Sequence, residues 1–289
     1  MSTIIDGKAV ADKILDEIKT EIVILKEKYH KAPGLAVILV GDNPASQVYV
    51  RNKKEACAKL GINSYEYRLS AEANEEELIS LIKKLNCDPL IHGILLQLPV
   101  PKKFSEYKLI SLINPDKDVD GFHPENVGKL LLGLAAFKSC TPYGICELLK
   151  AYQIPTESKH VVIIGRSNIV GKPLAFLLMQ KEFNATVTVC HSKTANLKEI
   201  TKTADILVAA IGQPLFVKAD FVKDGAVVVD VGMNRIQLED GQAKLVGDVD
   251  FNEVSLKTSF ITPVPGGVGK MTIAMLMKNT LDAFKKSQN

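Results

Sequence analysis

The sequence predicts an α/β protein of two domains, the second built on a parallel sheet. Three observations carry that expectation. The chain has 289 residues, more than one ordinary domain needs, so two domains with a cleft between them are expected. Short β-branched runs alternate with amphipathic stretches in both halves, the pattern of helices laid on mostly parallel sheets. A glycine-containing turn near residue 165 joins an apolar strand to an apolar helix.

Taken in order, the N-terminal stretch MSTIIDGKAVADKILDEIKTEIVILKEKYH mixes charge with apolar periodicity and reads as an amphipathic helix rather than a signal peptide. Leu35 to Val40 is a short buried strand closed by Gly41. Asn43-Pro44 then supply a cap and an N1 proline, opening a helix that runs to about Leu60 and stops at Gly61. A polar helix from about Asn74 to Leu85 precedes the apolar run Leu90 to Leu98, whose carboxyl end carries Gln97 beside Pro99-Val100-Pro101. The acidic, turn-rich NPDKDVDG of residues 114–121 is a loop.

The second half opens at Thr141-Pro142, another cap-plus-proline helix start, followed by strands over 160–164, 186–190, 205–211 and 226–231. A hairpin is expected at Asp240-Gly241, a loop over 262–269, and a last amphipathic helix from about Met271 to Phe284. This gives an N-terminal domain over 1–140 and a C-terminal domain over 141–270, with residues 271–289 returning to pack on the first.

Composition narrows the function classes. Hydrophobic residues make up 46% and charged residues 24%, which suits a chain with a sizeable core and argues against disorder. The net charge of +3 comes without a basic stripe interleaved with aromatics, so no nucleic-acid partner is expected. No apolar run is long enough to span a bilayer. Cys57, Cys87, Cys140, Cys146 and Cys190 form no CxxC pair, and an odd count in a chain this long fits a reducing cytoplasm better than a disulfide framework. Cys190-His191 lack a second pair at zinc-site spacing, so no metal is expected.

The turn after HVVIIG reads Gly165-Arg166-Ser167-Asn168-Ile169-Val170-Gly171 and leads into Lys172-Pro173 and a helix. Strand, glycine loop and helix form the Rossmann-like context, in which unpaired N–H groups at the helix start face an anion. The spacing departs from GxGxxG, because Ser167 takes the middle glycine's place and Gly171 falls one position late. By itself the loop is also compatible with a plain βα turn. A selective NAD site places Asp or Glu about 20 residues on, to accept from the ribose 2′-hydroxyl. Here the second strand ends Val189-Cys190-His191-Ser192-Lys193, with no carboxylate. Arg166, Ser192 and Lys193 suit a 2′-phosphate instead, which favours NADP.

On the helix opened by Asn43-Pro44, Tyr49 and Lys53 are spaced i, i+4 and project from one face. Taken alone, the pair also reads as a half-buried tyrosine beside a solvated lysine.

Together, Tyr49-Val50-Arg51-Asn52-Lys53, GILLQLPVP around Gln97, KDVDGF, GRSNIVGKP and the closing TPVPGGVG resemble the bifunctional methylenetetrahydrofolate dehydrogenase/methenyltetrahydrofolate cyclohydrolase family of folate enzymes. The resemblance runs from IIDGKAVA to the last helix. It implies a folate-side N-terminal α/β domain, a Rossmann-like NADP-binding C-terminal domain, a homodimer, and a place in one-carbon metabolism that serves purine biosynthesis. Residue by residue, it implies that Tyr49 packs on the aminobenzoyl part of folate and that Lys53 is central to hydrolysis. Gln97 would position Lys53, and Asp120 would anchor the pterin edge. Gly165, Arg166, Ser167 and Ser192 match the cofactor site, Met233 in DVGMNR lies toward the nicotinamide, and Pro263, Gly266 and Gly267 line the substrate. Partial burial and a neighbouring cation would favour the neutral amine of Lys53.

Other residues have plainer roles. Asp118 and Asp120 are expected to form the turn rather than hold a divalent ion, and His92, Cys140 and Cys146 to pack structurally. The family loop is similar to PGGVGPMT, whereas this chain has Pro265-Gly266-Gly267-Val268-Gly269-Lys270-Met271-Thr272, with Lys270 in the proline's place. Gly269-Lys270 does not make a nucleoside-triphosphate loop, since the leading glycine and the residue after lysine are both wrong. Two rival readings are a monofunctional NAD(P) dehydrogenase of this fold and a silent folate-binding protein whose Lys270 has spoiled cofactor alignment.

Overall fold

The computed structural model describes residues 2–237 and 242–288. In chain order its strands are β1 (Thr3–Ile4), β2 (Gly34–Val40), β3 (Asn63–Leu69), β4 (Gly93–Leu96), β5 (His160–Ile164), β6 (Thr186–Cys190), β7 (Ile206–Ala209), β8 (Val227–Asp230), β9 (Asn234–Gln237), β10 (Ala243–Val246) and β11 (Phe260–Ile261). Its helices are α1 (Gly7–Tyr29), α2 (Pro44–Leu60), α3 (Glu75–Cys87), α4 (Glu106–Ile110), α5 (Pro124–Leu131), α6 (Cys140–Ala151), α7 (Gly171–Leu178), α8 (Leu197–Thr201), α9 (Phe251–Val254) and α10 (Val268–Ser287). The chain forms two compact units: Met1–Asp12 with Cys140–Thr272, and Lys13–Ser139 with Ile273–Asn289.

In the unit built on Lys13–Ser139, a parallel sheet runs in the order β3-β2-β4. Central β2 (GLAVILV) has no polar side chain and is buried throughout, as a strand covered on both faces must be. Asn43 accepts from Ser46 N at 3.1 Å to cap α2, and Gly61 ends that helix in the left-handed region. Leu78, Ile82 and Leu85, one stripe of α3, meet Ile38, Ile94 and Leu96 in the core. Each fully buried aliphatic side chain there contributes about 1.5–3 kcal/mol. Strand β4 is shorter than the apolar run Leu90 to Leu98. Leu90 N turns to Asp88 Oδ1 at its start, and beyond the strand's two ends His92 N bonds Gly34 O and Gln97 N bonds Ile38 O. In α10, the fully buried Phe284 meets the His92 ring edge-on at 4.8 Å.

The other unit carries six parallel strands in the order β1-β11-β8-β7-β5-β6. The direction of winding reverses at β5, so the carboxyl ends of β5 and β7 bound the switch-point crevice of a Rossmann-like sheet. Two details depart from the sequence-based expectation. The N-terminal helix starts only at Gly7, because Thr3–Ile4 pairs with β11 and Asp6 Oδ1 accepts from Ala9 N at 3.0 Å. Helix α6 begins at Cys140, and Thr141 does not cap it: its hydroxyl lies 2.9 Å from that of Thr272. Strands β9 and β10 pair antiparallel. The expected turn residues Asp240-Gly241 lie outside the described residues. No helix among the described residues is long and apolar enough to cross a membrane.

Candidate active site

In the unit holding α2, the i, i+4 spacing places Tyr49 at the helix surface and Lys53 one turn on, in the buried face with Ser46, Val50 and Cys57. Lys53 is only 8% exposed, and its Nζ donates to Gln97 Oε1 at 2.9 Å. Gln97 is equally buried and gives its amide Nε2 to Leu98 O at 2.8 Å. Because the amide nitrogen is taken by a carbonyl, its oxygen is left to face the amine. The plainer reading of Lys53 as a solvated surface charge is therefore excluded. Burial raises the Tyr49 phenol above its ordinary range, so the hydroxyl stays protonated at neutral pH. Cys57, a turn beyond Lys53, has its thiol pushed up to about 12 by burial and is no nucleophile.

Asp120 is half-buried in a loop fixed from several sides. Asp118, almost wholly buried, accepts from Phe122 N at 3.2 Å, His123 N at 2.8 Å and Asn126 Nδ2 at 2.9 Å. Asn279 of α10 donates to Val119 O at 2.7 Å and Lys138 O at 2.9 Å. At Gly121 the backbone has φ +69°, and a Cβ would come within 2.6 Å of the Lys138–Ser139 peptide. Asp118 thus does more than form a turn: it bolts the loop that presents Asp120. A polar Asn279 facing the core of an amphipathic helix was a sequence signal for this, but its partners are 160 and 141 positions away.

In the other unit the turn between β5 and α7 is shaped by its two glycines. Gly165 has φ +125°, and a Cβ there would overlap Ala210 O at the end of β7. A Cβ at Gly171 would overlap Gly165 O, so both glycines are required for the backbone to pass this closely. Ser167 Oγ accepts from Val170 N at 3.1 Å, closing the turn ahead of α7. Arg166 is exposed beside the N-terminus of α7, and Lys172 Nζ donates to Asn168 Oδ1 at 2.7 Å. Ser192 and Lys193 are exposed just past β6. Arg166, Lys172 and the N-terminal end of the α7 dipole give this turn a positive character that suits an anionic ligand. Cys190 is buried in the core, and no group of three potential metal ligands occurs among the described residues.

Met233 follows β8 and is 43% exposed, close enough to Gly269 that a Cβ there would approach its Cε to 2.7 Å. Pro263, Gly266 and Gly267 lie in the turn between β11 and α10. Gly266 has φ +112°, its carbonyl accepts from Lys8 N at 3.1 Å, and Gly267 O sits where a Cβ of Gly7 would fall.

Two buried carboxylates in this unit were not singled out by sequence. Asp230 ends β8 and accepts from Gly232 N, Asp248 N and Val249 N at 2.9–3.0 Å. Burial pushes it up to about 6 against those three hydrogen bonds, and the nearby Asp248 charge adds to the rise. Asp248, with no exposed surface, accepts from Ile211 N at 2.7 Å, Gly212 N at 3.0 Å and Asn234 Nδ2 at 2.9 Å. An acid closing an otherwise apolar VVVD strand was the one available hint.

Residues 5–120 match the tetrahydrofolate dehydrogenase/cyclohydrolase catalytic domain, and residues 139–288 match the NAD(P)-binding domain of the same family. The chain belongs to the tetrahydrofolate dehydrogenase/cyclohydrolase family. The bifunctional protein FolD of Maridesulfovibrio salexigens is 59% identical over 98% of both chains. Among solved structures, the bifunctional FolD dehydrogenase/cyclohydrolase of Campylobacter jejuni is 51% identical, with a TM-score of 0.94 over 99% of both chains. The Trypanosoma brucei dehydrogenase-cyclohydrolase, solved with NADP and an inhibitor, is 38% identical with a TM-score of 0.94 over 100% of this chain and 99% of that one. Membership of the tetrahydrofolate dehydrogenase/cyclohydrolase family accounts for two α/β units in one chain, one with a buried amine and the other with a positively charged glycine turn.

Proposed function

We propose that the chain oxidises 5,10-methylenetetrahydrofolate with NADP+ and hydrolyses the resulting 5,10-methenyltetrahydrofolate to 10-formyltetrahydrofolate. The observation that carries the hydrolase half is the buried 2.9 Å bond from Lys53 to Gln97. When bound, NADP+ supplies the hydride acceptor. The protein's part in oxidation is alignment: Tyr49 supports the aminobenzoyl ring, Asp120 the pterin edge, and the turn of Pro263, Gly266 and Gly267 the substrate. The loop of Gly165, Arg166, Ser167 and Ser192 holds the dinucleotide, with Met233 toward its nicotinamide end. The C–H bonding pair leaves the bridging carbon as hydride while a nitrogen lone pair forms the C=N bond, so no side-chain base is needed.

Hydrolysis requires proton movement. Water adds to the cationic methenyl carbon and both of its protons leave the added oxygen as it becomes the formyl carbonyl; one passes to solvent and the other goes to N5, whose bond to that carbon breaks. Lys53 is placed to take and return that proton, and Gln97 fixes the amine without adding charge. The absence of a carboxylate after β6, with Ser192 and Lys193 exposed there, supports NADP+ over NAD+. The reading includes a cytoplasmic homodimer that feeds formyl groups to purine biosynthesis.

The test is a spectrophotometric assay of methenyltetrahydrofolate formation and decay with each cofactor. Formation with NADP+ followed by decay is expected. Formation without decay would leave the monofunctional dehydrogenase, and neither activity the silent folate binder.

A further inference from the structure

We propose that Asp248, backed by Asp230, is a positioning residue for hydride transfer, because it fixes together the two loops that leave the carboxyl ends of β7 and β8. The inference rests on the dehydrogenase reading above. Carboxyl-end loops next to the switch point of a parallel sheet are where such folds meet their ligand. One oxygen of Asp248 accepts from both Ile211 N and Gly212 N, the first residues beyond β7 apart from Ala210. The other accepts from Asn234 Nδ2, adjacent to Met233 in the loop after β8. A single side chain thereby sets the spacing between the Ile211–Gly212 turn and the Met233 segment.

Asp230 holds Asp248 in turn. Its carboxylate accepts from the backbone N–H of Asp248 and Val249 and from Gly232 N, so it fixes the segment that carries Asp248 and the start of the Met233 loop at once. Thr262 secures the strand end, its hydroxyl oxygen accepting from Asp230 N at 2.7 Å. The neighbours are shaped around this arrangement: a Cβ at Gly232 would overlap Asp248, and a Cβ at Gly247 would overlap Asp230. At Gly212, by contrast, a Cβ would meet nothing within 4 Å, so that turn is held from beneath by Asp248 and is open on its other side. Two carboxylates this deeply buried are costly unless every oxygen is satisfied, and here each has three donors. That expense is concentrated on the loops beside Met233 and not on the hydrophobic core.

A residue that only stabilises the fold would depress both activities together, whereas one that positions the cofactor side would affect oxidation alone. Asp248→Ala should raise the KM for NADP+ and lower dehydrogenase kcat/KM by at least about tenfold. Hydrolysis of methenyltetrahydrofolate supplied directly, without cofactor, should stay within about twofold of wild type. Asp248→Asn should recover most of the oxidation: its Oδ1 can keep Ile211 N and Gly212 N while its Nδ2 donates to a turned Asn234 amide. Asn234→Ala, which removes one partner and leaves the carboxylate in place, covers the case in which Asp248→Ala does not fold, and should reduce oxidation and not hydrolysis. Equal losses in both activities, or unchanged oxidation in Asp248→Ala and Asn234→Ala, would overturn the proposal. A wild-type protein unable to oxidise methylenetetrahydrofolate would instead sink the functional reading beneath it.

Discussion

Lys53 and Gln97 lie 44 positions apart in sequence, one on α2 and one just past β4, and the structure joins them by a buried 2.9 Å hydrogen bond. The two proposed chemistries should separate at this pair, because only hydrolysis moves a proton at the folate carbon. Lys53→Met keeps the stem's bulk and removes the amine. Hydrolysis should fall by about 100- to 10,000-fold, the range for losing a general acid/base, while NADP+-dependent oxidation persists and methenyltetrahydrofolate accumulates. Gln97→Ala should weaken hydrolysis in the same direction. Wild-type hydrolysis rates in Lys53→Met would rule out Lys53 as the acid/base.

The elements behind this pair were legible for local reasons. Asn43 and Gly61 bracket α2 by capping chemistry alone, and the polar-free GLAVILV can only be a covered strand. Their meeting was not legible from pattern: i, i+4 spacing put Tyr49 and Lys53 on one face but could not say that the face turns Lys53 inward toward Gln97. Thr3–Ile4 was lost in an amphipathic pattern because two residues carry no periodicity and pair only through β11. Asp230 and Asp248 were missed for the same kind of reason, since their six donors come from six residues spread over positions 211–249. Side-chain and backbone contacts between distant segments leave no local signature.

Cofactor choice should depend on Arg166 and Ser192. Both are exposed beside the turn, and the chain after β6 offers no carboxylate to a ribose hydroxyl. Hydrogen bonds to a charged group are worth about 1.5–3 kcal/mol. Replacing both residues by Ala should therefore cut the NADP+ over NAD+ preference in kcat/KM by at least about tenfold. A wild-type protein using both cofactors equally would refute this assignment.

His92 should make stability depend on pH. Its ring accepts from Gly34 N at 2.9 Å, packs on Phe284, and is held down to about 4 from 6.5 by burial, with Lys117 and Lys31 adding repulsion and Asp88 opposing it. The unfolded chain takes up the proton first. The contribution is thus complete above pH 6.5 and is lost as pH falls toward 4. The full shift corresponds to about 3 kcal/mol, and allowing for screening of the lysine share by water leaves about 2. In His92→Asn the side-chain oxygen can still accept from Gly34 N but cannot titrate. Urea melts should find the variant less stable at pH 7.5, with the gap to wild type closing by about 2 kcal/mol at pH 4. A gap independent of pH would show that His92 is protonated in the folded protein as readily as in the unfolded one.

Lys270 stands where the similar family loop has proline, and the structure puts it at the third residue of α10, exposed. Donors in the first helical turn have no intrahelical partner, so proline removes little there. The residue four positions earlier, Gly266, lies outside the helix, and its carbonyl already accepts from Lys8 N at 3.1 Å, so the ring meets no helical carbonyl. The residue before it is Gly269, which lacks the Cβ that proline restricts most. A lysine charge in the first turn also opposes the positive end of the helix dipole, at about 0.3–1 kcal/mol. Lys270→Pro should therefore stabilise the protein by about 0.4–1 kcal/mol through the unfolded chain, plus the relieved charge. A thermal melt should show a rise of about 1–6 °C, with folate affinity unchanged. A lower melting temperature would show that the turn does not accept proline. A weaker folate complex at unchanged stability would mean instead that the Lys270 amine contacts the substrate, through the carboxylates of its glutamate tail.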